Sequence, residues 1–423
     1  MINLQVADEF NENQATFRLQ PTTGPIAFYL PDLHGGGVQR IVLRIAQAFA
    51  DRGYAVDLLV CRPEGELGFL LGRGLSLHVL KASTYLVSLL AAWRADPEMA
   101  WLAPRLFFGR YRSKTLPCLP ALAEYLVNRR PLVLFAATPF LNIEAVLARR
   151  LAKVPVRVVI SERSHFSVDV PKLRRRAKAL VPAMRRAYLE ADGIIAVSHG
   201  VADDLMRTLG IPNEQVEVVY NPVVGADFFR RIAEPVDHPW FQDQNIPVLV
   251  AVGRLARQKD YPTLLRAFAE LRKERLVRLA ILGSGEDRVV GRLKALAKDL
   301  GVASDVAFLG FKPNPLPYIA RADLLVLSSR WEGLPNVLIE ALACGTPVVS
   351  TDCPSGPAEI LQEGRYGRLV PVGDACALAK AMAQTLDYPP DREKLRERAS
   401  AFDETRAIKS YQNILLGSSR MGL

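Results

Sequence analysis

Two carboxylates interrupt an otherwise apolar stretch, SSRWEGLPNVLIEALACGTPVVS, at residues 328–350. Glu332 precedes a Gly-Leu-Pro turn, and Glu340 follows it. A buried carboxylate costs several kcal/mol unless a polar partner meets it. An ionised carboxylate accepts hydrogen bonds from hydroxyl groups, such as those of a ribose or a sugar ring. The two glutamates are therefore candidates for holding a ligand rich in hydroxyl groups.

The turn predicts where the two side chains lie. Glu332 falls in the loop after the apolar segment ADLLVLSS, and a helix is expected to begin near Asn336 and to end at the glycine of ACGT. The first N–H groups of a helix have no partner within it and suit phosphate oxygens. We expect the donors from about Asn336 to Leu338 to suit such a ligand, with Glu340 further inside the helix.

A basic loop lies upstream, in VGRLARQKDYPTLL at residues 252–265. Arg254 offers a guanidinium fork and Lys259 a point charge, a combination that suits a diphosphate. An ordinary solvated basic loop would have the same composition.

A glycine-rich segment, HGGGVQR at residues 34–40, follows the first apolar segment of the chain. Gly36 and Gly37 would let a phosphate or a sugar approach the backbone at the start of a helix, although a mobile turn is the simpler alternative. The segment lacks the third glycine of G-x-G-x-x-G, which argues against a nicotinamide dinucleotide.

The elements that must position these residues alternate between strand and helix. Short apolar segments such as PIAFYL, YAVDLLV, PLVLFAAT and VRVVISE are separated by segments with helical periodicity, and a second such series begins near Ile246. This alternation is typical of parallel sheets wrapped by helices. The sequence predicts two doubly wound α/β units in tandem.

The length of 423 residues is consistent with two domains. A segment rich in proline and without periodicity marks the linker. The predicted division is a first domain at 1–222, a linker at 223–245, a second domain at 246–400 and a C-terminal helix at 401–423 that closes the second domain or crosses back to the first.

Composition narrows the classes of protein and of partner. The formal net charge of +10 favours anionic partners. Five cysteines without C-x-x-C spacing indicate neither a disulfide framework nor a zinc site, and we expect them to be buried. No apolar run is long enough to span a bilayer, and the N-terminus does not resemble a signal peptide, so the expected location is the cytoplasm.

The motifs together resemble a known family. The two glutamates in WEGLPNVLIEALACGTPVV, the preceding VGRLARQKD loop, ADGIIAVSHGVADDL and PSGPAEIL look like the retaining glycosyltransferases of family 4, most strongly between residues 250 and 372. The resemblance implies the GT-B architecture, with two Rossmann-like domains facing a cleft and the acceptor on the side of the first domain. It is closest to members that act on lipid-linked or cell-surface glycans.

The resemblance also implies roles for individual residues. Arg254 and Lys259 would bind the donor diphosphate, Glu340 would bind the ribose hydroxyls, and the backbone of Val337 and Leu338 would lie near the phosphates. Glu332 would contact the transferred sugar as an orienting group, without becoming a covalent nucleophile. His165, in ISERSHFS, lies where the family often has a histidine on the acceptor side, although a structural histidine is an equal alternative.

The expected reaction transfers a hexose or an N-acetylhexosamine from a nucleotide-diphosphate sugar, with UDP favoured by the resemblance, to a lipid-linked or polysaccharide acceptor. The chain has no D-x-D sequence, the usual metal–diphosphate bridge of the other major glycosyltransferase architecture. We therefore expect a reaction that needs neither a metal nor another cofactor.

Basic and aromatic residues suggest contact with an anionic membrane surface. They occur at 171–192, which includes Arg185 and Arg186, and around Trp93, Trp101, Phe107 and Phe108. A solvated helix face and a packed insertion would give the same pattern.

Three other classes of protein remain open: a GT-B nucleotide-sugar epimerase, a transferase with a small soluble acceptor, and a phosphorylase, for which no pyridoxal lysine motif is seen. Nucleic acid is not an expected partner, because no recognition motif accompanies the charge.

Overall fold

The computed structural model describes residues 24–102, 113–169, 174–242 and 245–417, without the side chains of residues 100–102, 169 and 174–179. Trp101, Phe107 and Phe108, which the membrane hypothesis invokes, therefore lie outside the described side chains, as do residues 171–179 of the basic segment.

The first domain is built on a seven-stranded parallel sheet with the order β3-β2-β1-β4-β5-β6-β7. Two of its central strands, at Ile26–Leu30 and Val133–Ala136, are continuous runs of buried apolar residues, as expected where helices cover both faces of a parallel sheet. The strands are β1 Ile26–Leu30, β2 Val56–Val60, β3 Leu75–Val79, β4 Val133–Ala136, β5 Arg157–Glu162, β6 Gly193–Ala196 and β7 Val216–Val218.

The helices of this domain connect successive strands or extend those connections. They are α1 Gly37–Ala50, α2 Tyr85–Ala95, α3 Pro97–Leu102, α4 Leu119–Arg129, α5 Pro139–Ala152, α6 Phe166–Asp169, α7 Arg174–Leu189 and α8 His199–Leu209. A short helix, α9 Phe228–Ile232, lies in the segment predicted as the linker.

The second domain repeats the design with a six-stranded parallel sheet of order β10-β9-β8-β11-β12-β13. Its strands are β8 Val248–Val252, β9 Arg278–Leu282, β10 Val306–Gly310, β11 Leu324–Leu327, β12 Val348–Thr351 and β13 Arg368–Val370. Its helices are α10 Tyr261–Glu274, α11 Asp287–Asp299, α12 Leu316–Ala320, α13 Asn336–Cys344, α14 Pro357–Leu361, α15 Ala375–Asp387 and α16 Arg392–Ala399. The predicted pair of doubly wound units is confirmed.

Both sheets reverse their strand order at one point, between β1 and β4 in the first and between β8 and β11 in the second. Ligands of open α/β sheets bind in the crevice at such points, beyond the carboxyl ends of the strands. The loops after β1, β8 and β11 carry the glycine-rich, basic and glutamate-bearing segments, so the topology places all three at these points.

The last helix, α17 Glu404–Leu416, packs on the first domain although it follows the second in sequence. Ile408, Tyr411 and Ile414 are buried in the same apolar cluster as Phe135 of β4. Arg157 of β5 donates a hydrogen bond to the carbonyl of Ile414, with an N–O distance of 3.1 Å. The core of the first domain is thus completed by residues beyond 400.

Four of the five cysteines are buried, but the expectation is wrong for Cys376. This residue lies in the first turn of α15 on the side that faces solvent, whereas the buried side of that helix begins with Leu378. Among the described residues, no helix combines the length and the apolar character that crossing a bilayer would require.

Candidate active site

The carboxylate of Glu332 is buried and held on three sides. Its side chain lies in the loop after β11, and the residue is 6% exposed. Oε1 accepts hydrogen bonds from Lys259 Nζ at 2.6 Å and from Ser329 Oγ at 2.5 Å. Oε2 has a longer contact of 3.4 Å with Gln258 Nε2. Since Oε1 is already used twice, Oε2 is the oxygen with capacity left for a ligand hydroxyl.

The loop that carries Glu332 is also the place where the two domains meet. The backbone N–H of His165, from the first domain, donates to the carbonyl of Glu332 at 3.1 Å. Ser198 Oγ donates to the carbonyl of Gly333 at 2.8 Å. A Cβ on Gly333 would lie 2.1 Å from the carbonyl oxygen of Arg163, so a glycine is required for this close approach. The structure therefore brings His165 and Glu332 together through the backbone.

The imidazole of His165 is positioned by a residue that the sequence did not reveal. Its Nδ1 lies 3.3 Å from Asp204 Oδ2 and 3.4 Å from Ser167 Oγ. Burial lowers the pKa of His165 and the charge of Arg207 adds to this, while Asp204 opposes it. Burial therefore favours the neutral imidazole, whose orientation is fixed by the carboxylate.

Helix α13 begins and ends where the sequence predicts. Gly345 ends it with φ 74°, a left-handed conformation that glycine adopts readily. The N–H of Leu338 already donates to the carbonyl of Pro335 at 3.0 Å, whereas that of Val337 has no hydrogen-bond acceptor among the described residues. Of the two amides predicted to face phosphate, that of Val337 is the one with an open donor.

Glu340 lies on α13 and faces arginines from outside its own domain. Burial raises the pKa of its carboxyl, and the charges of Arg40, Arg231 and Arg44 oppose this. Arg40 reaches across from α1, and its Nη1 donates to the carbonyl of Pro313 at 3.0 Å. The arginine of HGGGVQR is thus a site residue that sequence reasoning passed over, although it lies within a motif already singled out.

The predicted diphosphate pair is split in this structure. Lys259 is bound to Glu332, while Arg254 is exposed and has no ion pair among the described residues. The side chain of Arg254 is thus free to meet an anion, and that of Lys259 would have to be shared with it. Their roles in diphosphate binding stay predictions.

The glycine-rich loop leads into α1 as expected. Gly36 caps the helix in an extended conformation, and Gly37 is its first residue, with open space around the position of a Cβ. The approach to the second domain is at Gly35, where a Cβ would lie 2.9 Å from the ring of Phe311. The backbone N–H of Gly35 donates to Glu66 Oε2 at 2.9 Å. The glycine-rich loop therefore contacts the second domain through Gly35.

The described residues contain no group of three or more His, Cys, Asp or Glu side chains arranged to hold a metal ion. The cations near Glu332 and Glu340 are instead lysine and arginine side chains.

Comparison with known proteins gives matches to both domains. The family model described as Glycosyltransferase Family 4 matches residues 35–224, and the model described as Glycosyl transferases group 1 matches residues 246–388.

Two curated relatives illustrate the match. The chain is 31% identical over 280 residues to the N-acetylgalactosamine-N,N'-diacetylbacillosaminyl-diphospho-undecaprenol 4-alpha-N-acetylgalactosaminyltransferase of Campylobacter jejuni, covering 65% of this chain and 74% of the relative. It is 26% identical over 307 residues to the lipopolysaccharide 1,6-galactosyltransferase of Escherichia coli, covering 70% of this chain and 78% of that one.

A solved structure has the same fold. The structure of Anabaena HepE in complex with UDP-glucose aligns with a TM-score of 0.73 and 19% identity, over 93% of this chain and 99% of that one. With a match to each domain and a relative at 31% identity aligned over 74% of its length, the chain belongs to glycosyltransferase family 4 and has the GT-B fold.

Proposed function

We propose that this glycosyltransferase moves a hexose or an N-acetylhexosamine from a UDP-sugar to a lipid-linked or polysaccharide acceptor, with retention of configuration and without a metal. The observation that carries the proposal is the pair of glutamates around the start of α13. Glu332 is bound to Lys259, and Glu340 lies on the helix in whose first turn the amide of Val337 is open.

The donor side of the proposal assigns one task to each group. Lys259, Arg254 and the open amide at the start of α13 hold the diphosphate and stabilise the charge that develops on it as it departs. Glu340 accepts hydrogen bonds from the ribose. Glu332 Oε2 accepts one from a hydroxyl of the transferred sugar. The UDP-glucose bound by the HepE structure supports a donor of this class.

In the proposal, retention does not use Glu332 as a covalent nucleophile. Oε1 already accepts two short hydrogen bonds, one of them from a cation, which makes it a poor nucleophile, and Oε2 is assigned to a hydroxyl of the transferred sugar. Retention then requires that the acceptor hydroxyl attack the anomeric carbon on the face from which the diphosphate leaves. The new C–O bond forms with an electron pair of that hydroxyl, the diphosphate departs with the old pair, and the hydroxyl proton passes to a diphosphate oxygen.

The acceptor side rests on the two relatives, which act on an undecaprenol-linked substrate and on lipopolysaccharide. His165 stands at the edge of the first domain beside the loop of Glu332, held by Asp204. In the proposal it orients the acceptor hydroxyl or the hydroxyls of the transferred sugar.

The test mixes the purified protein with radiolabelled UDP- and GDP-sugars and a membrane lipid extract. A labelled lipid formed from a UDP-sugar, with the anomeric configuration of the donor, is the expected product. Hydrolysis without transfer, epimerised donor or an inverted product would contradict the proposal. A glycosyl ester trapped on Glu332 would refute its orienting role, and activity that is abolished by EDTA and restored by magnesium would refute metal independence.

We also propose peripheral attachment to the inner face of the cytoplasmic membrane. One stripe of α2 carries Leu86, Leu90 and Trp93, which are 67%, 49% and 52% exposed, and Arg94 beside them is exposed as well. Arg186 does not contribute as expected, because its Nε is bound to Asp96 at 2.6 Å.

A liposome assay tests this attachment. Leu90→Ser/Trp93→Ser should weaken binding to vesicles that contain anionic lipid by at least about tenfold. The matched control is Leu276→Ser/Tyr388→Ser, two exposed apolar residues of the second domain. Equal binding by both variants would place the contact elsewhere.

A further inference from the structure

A groove lined by arginines lies on the second domain, between α10, α11 and the turn that follows β8. Its volume is about 640 Å³, within the usual range for small-molecule sites. Arg257, Arg266, Arg292 and Arg330 line it, and Leu255 and Leu293 are among the apolar residues of its floor. The arginines come from four separate parts of the chain and meet at one concavity.

The charge of this groove is only partly balanced, because its lining has four arginines and one carboxylate, Asp260. Arg330 Nε lies 2.9 Å from Asp260 Oδ2, although without the alignment of a hydrogen bond. Arg257, Arg266 and Arg292 are exposed and have no carboxylate within 4.0 Å among the described residues. Three cations without partners around an apolar floor favour the binding of an anion that also has an apolar part.

The groove is distinct from the candidate donor site. The short 3₁₀ turn Arg257–Lys259 contributes residues to both sites, but these residues point to different sides of the turn. Gln258 and Lys259 reach Glu332, whereas Arg257 lines the groove. No group proposed to bind the donor lies in the groove.

We infer that this groove binds a phosphate ester attached to an apolar chain or ring. The guanidinium fork matches phosphate oxygens in pairs of hydrogen bonds, and the leucines of the floor would cover the apolar part. The inference does not rest on the transferase activity, because it concerns binding at a separate place.

The test measures binding of dihexanoyl phosphatidic acid, as a dissolved monomer, by titration calorimetry in the presence of excess UDP. Arg266→Glu/Arg292→Glu should weaken binding at least about tenfold. The matched control is Arg288→Glu/Lys298→Glu, which makes the same total change of charge at two exposed positions of α11 that do not line the groove. The control should change affinity by less than about twofold.

Three outcomes would overturn the inference: no binding of the ester in the presence of UDP, equal weakening in the control, or inorganic phosphate binding as tightly as the ester. Vesicles containing phosphatidic acid then separate two sources of the phosphate. If they compete for the groove, the ligand is a membrane lipid. If they do not, it is a soluble phosphate ester.

Discussion

The ion pair between Lys259 and Glu332 allows structural and functional roles to be separated by a double-mutant cycle. The two charges are 2.6 Å apart, and their side chains are 17% and 8% exposed. At about 4 Å and an effective dielectric constant of about 20, two unit charges attract by about 4 kcal/mol. Breaking a buried pair by removing one partner costs about 3–5 kcal/mol, because the other charge is left uncompensated.

The two single variants should differ. Lys259→Met leaves the more deeply buried charge, that of Glu332, without its cation, and should cost about 3–5 kcal/mol. Glu332→Gln leaves Lys259, which is more exposed and can take up water, and its amide oxygen can still accept from Ser329. We expect it to cost about 1–3 kcal/mol. The double variant removes both charges and should be more stable than Lys259→Met.

Urea unfolding measures the stabilities, and initial rates with a UDP-sugar measure the activity. If the pair were only structural, the double variant would recover activity along with stability. The proposal requires that it stay at least about a hundredfold below the wild type, because Lys259 is needed at the diphosphate. Recovered turnover in the double variant would refute the role of the pair in catalysis, and no recovery of stability would refute the cost assigned to the unpaired carboxylate.

Three further predictions concern other parts of the structure. Glu340→Gln should raise the donor KM about tenfold. In the wild type, KM should fall as pH rises through the raised pKa of Glu340, because the ionised carboxylate is the better hydrogen-bond acceptor. This pH dependence of KM should be absent in the variant. Burial raises the pKa of Glu144 to about 7, so the native state holds a proton that the unfolded chain has lost, and stability falls as pH rises from about 5 to 8. Glu144→Gln should reduce that fall by about 3 kcal/mol in urea unfolding at the two pH values, and an unchanged fall would contradict it. Gly333→Ala places a methyl 2.1 Å from the Arg163 carbonyl oxygen, so the two domains must move apart. Small-angle scattering should then show a larger radius of gyration, and turnover should drop. An unchanged radius would show that the domains do not meet here.

Short sequence patterns were sufficient to predict the strands and helices that position the site residues. The start of α13 and its end at Gly345 follow from turn and capping chemistry, and the alternation of apolar strands and helices gave both sheets. The positions of Glu332 and Glu340 around the helix start depend only on these neighbours.

Contacts between distant segments could not be predicted in the same way. Asp204 holds His165 from another helix, and Arg40 faces Glu340 from another domain. Neither partner has a periodic or spacing signal that ties it to the residue it meets. The close approach at Gly35, where Gly36 and Gly37 were expected to matter, likewise depends on the ring of Phe311, brought there by the docking of the domains.

Helix α17 has a consequence for how the chain is made. Synthesis proceeds from the N-terminus, so all seven strands of the first sheet leave the ribosome long before Ile408 and Tyr411, which complete the core around Phe135. The second domain lies in sequence between the first sheet and α17, so all of its strands and helices are synthesised before α17. The unit that is synthesised first is thus finished last, because its core around Phe135 is complete only after α17 has been made.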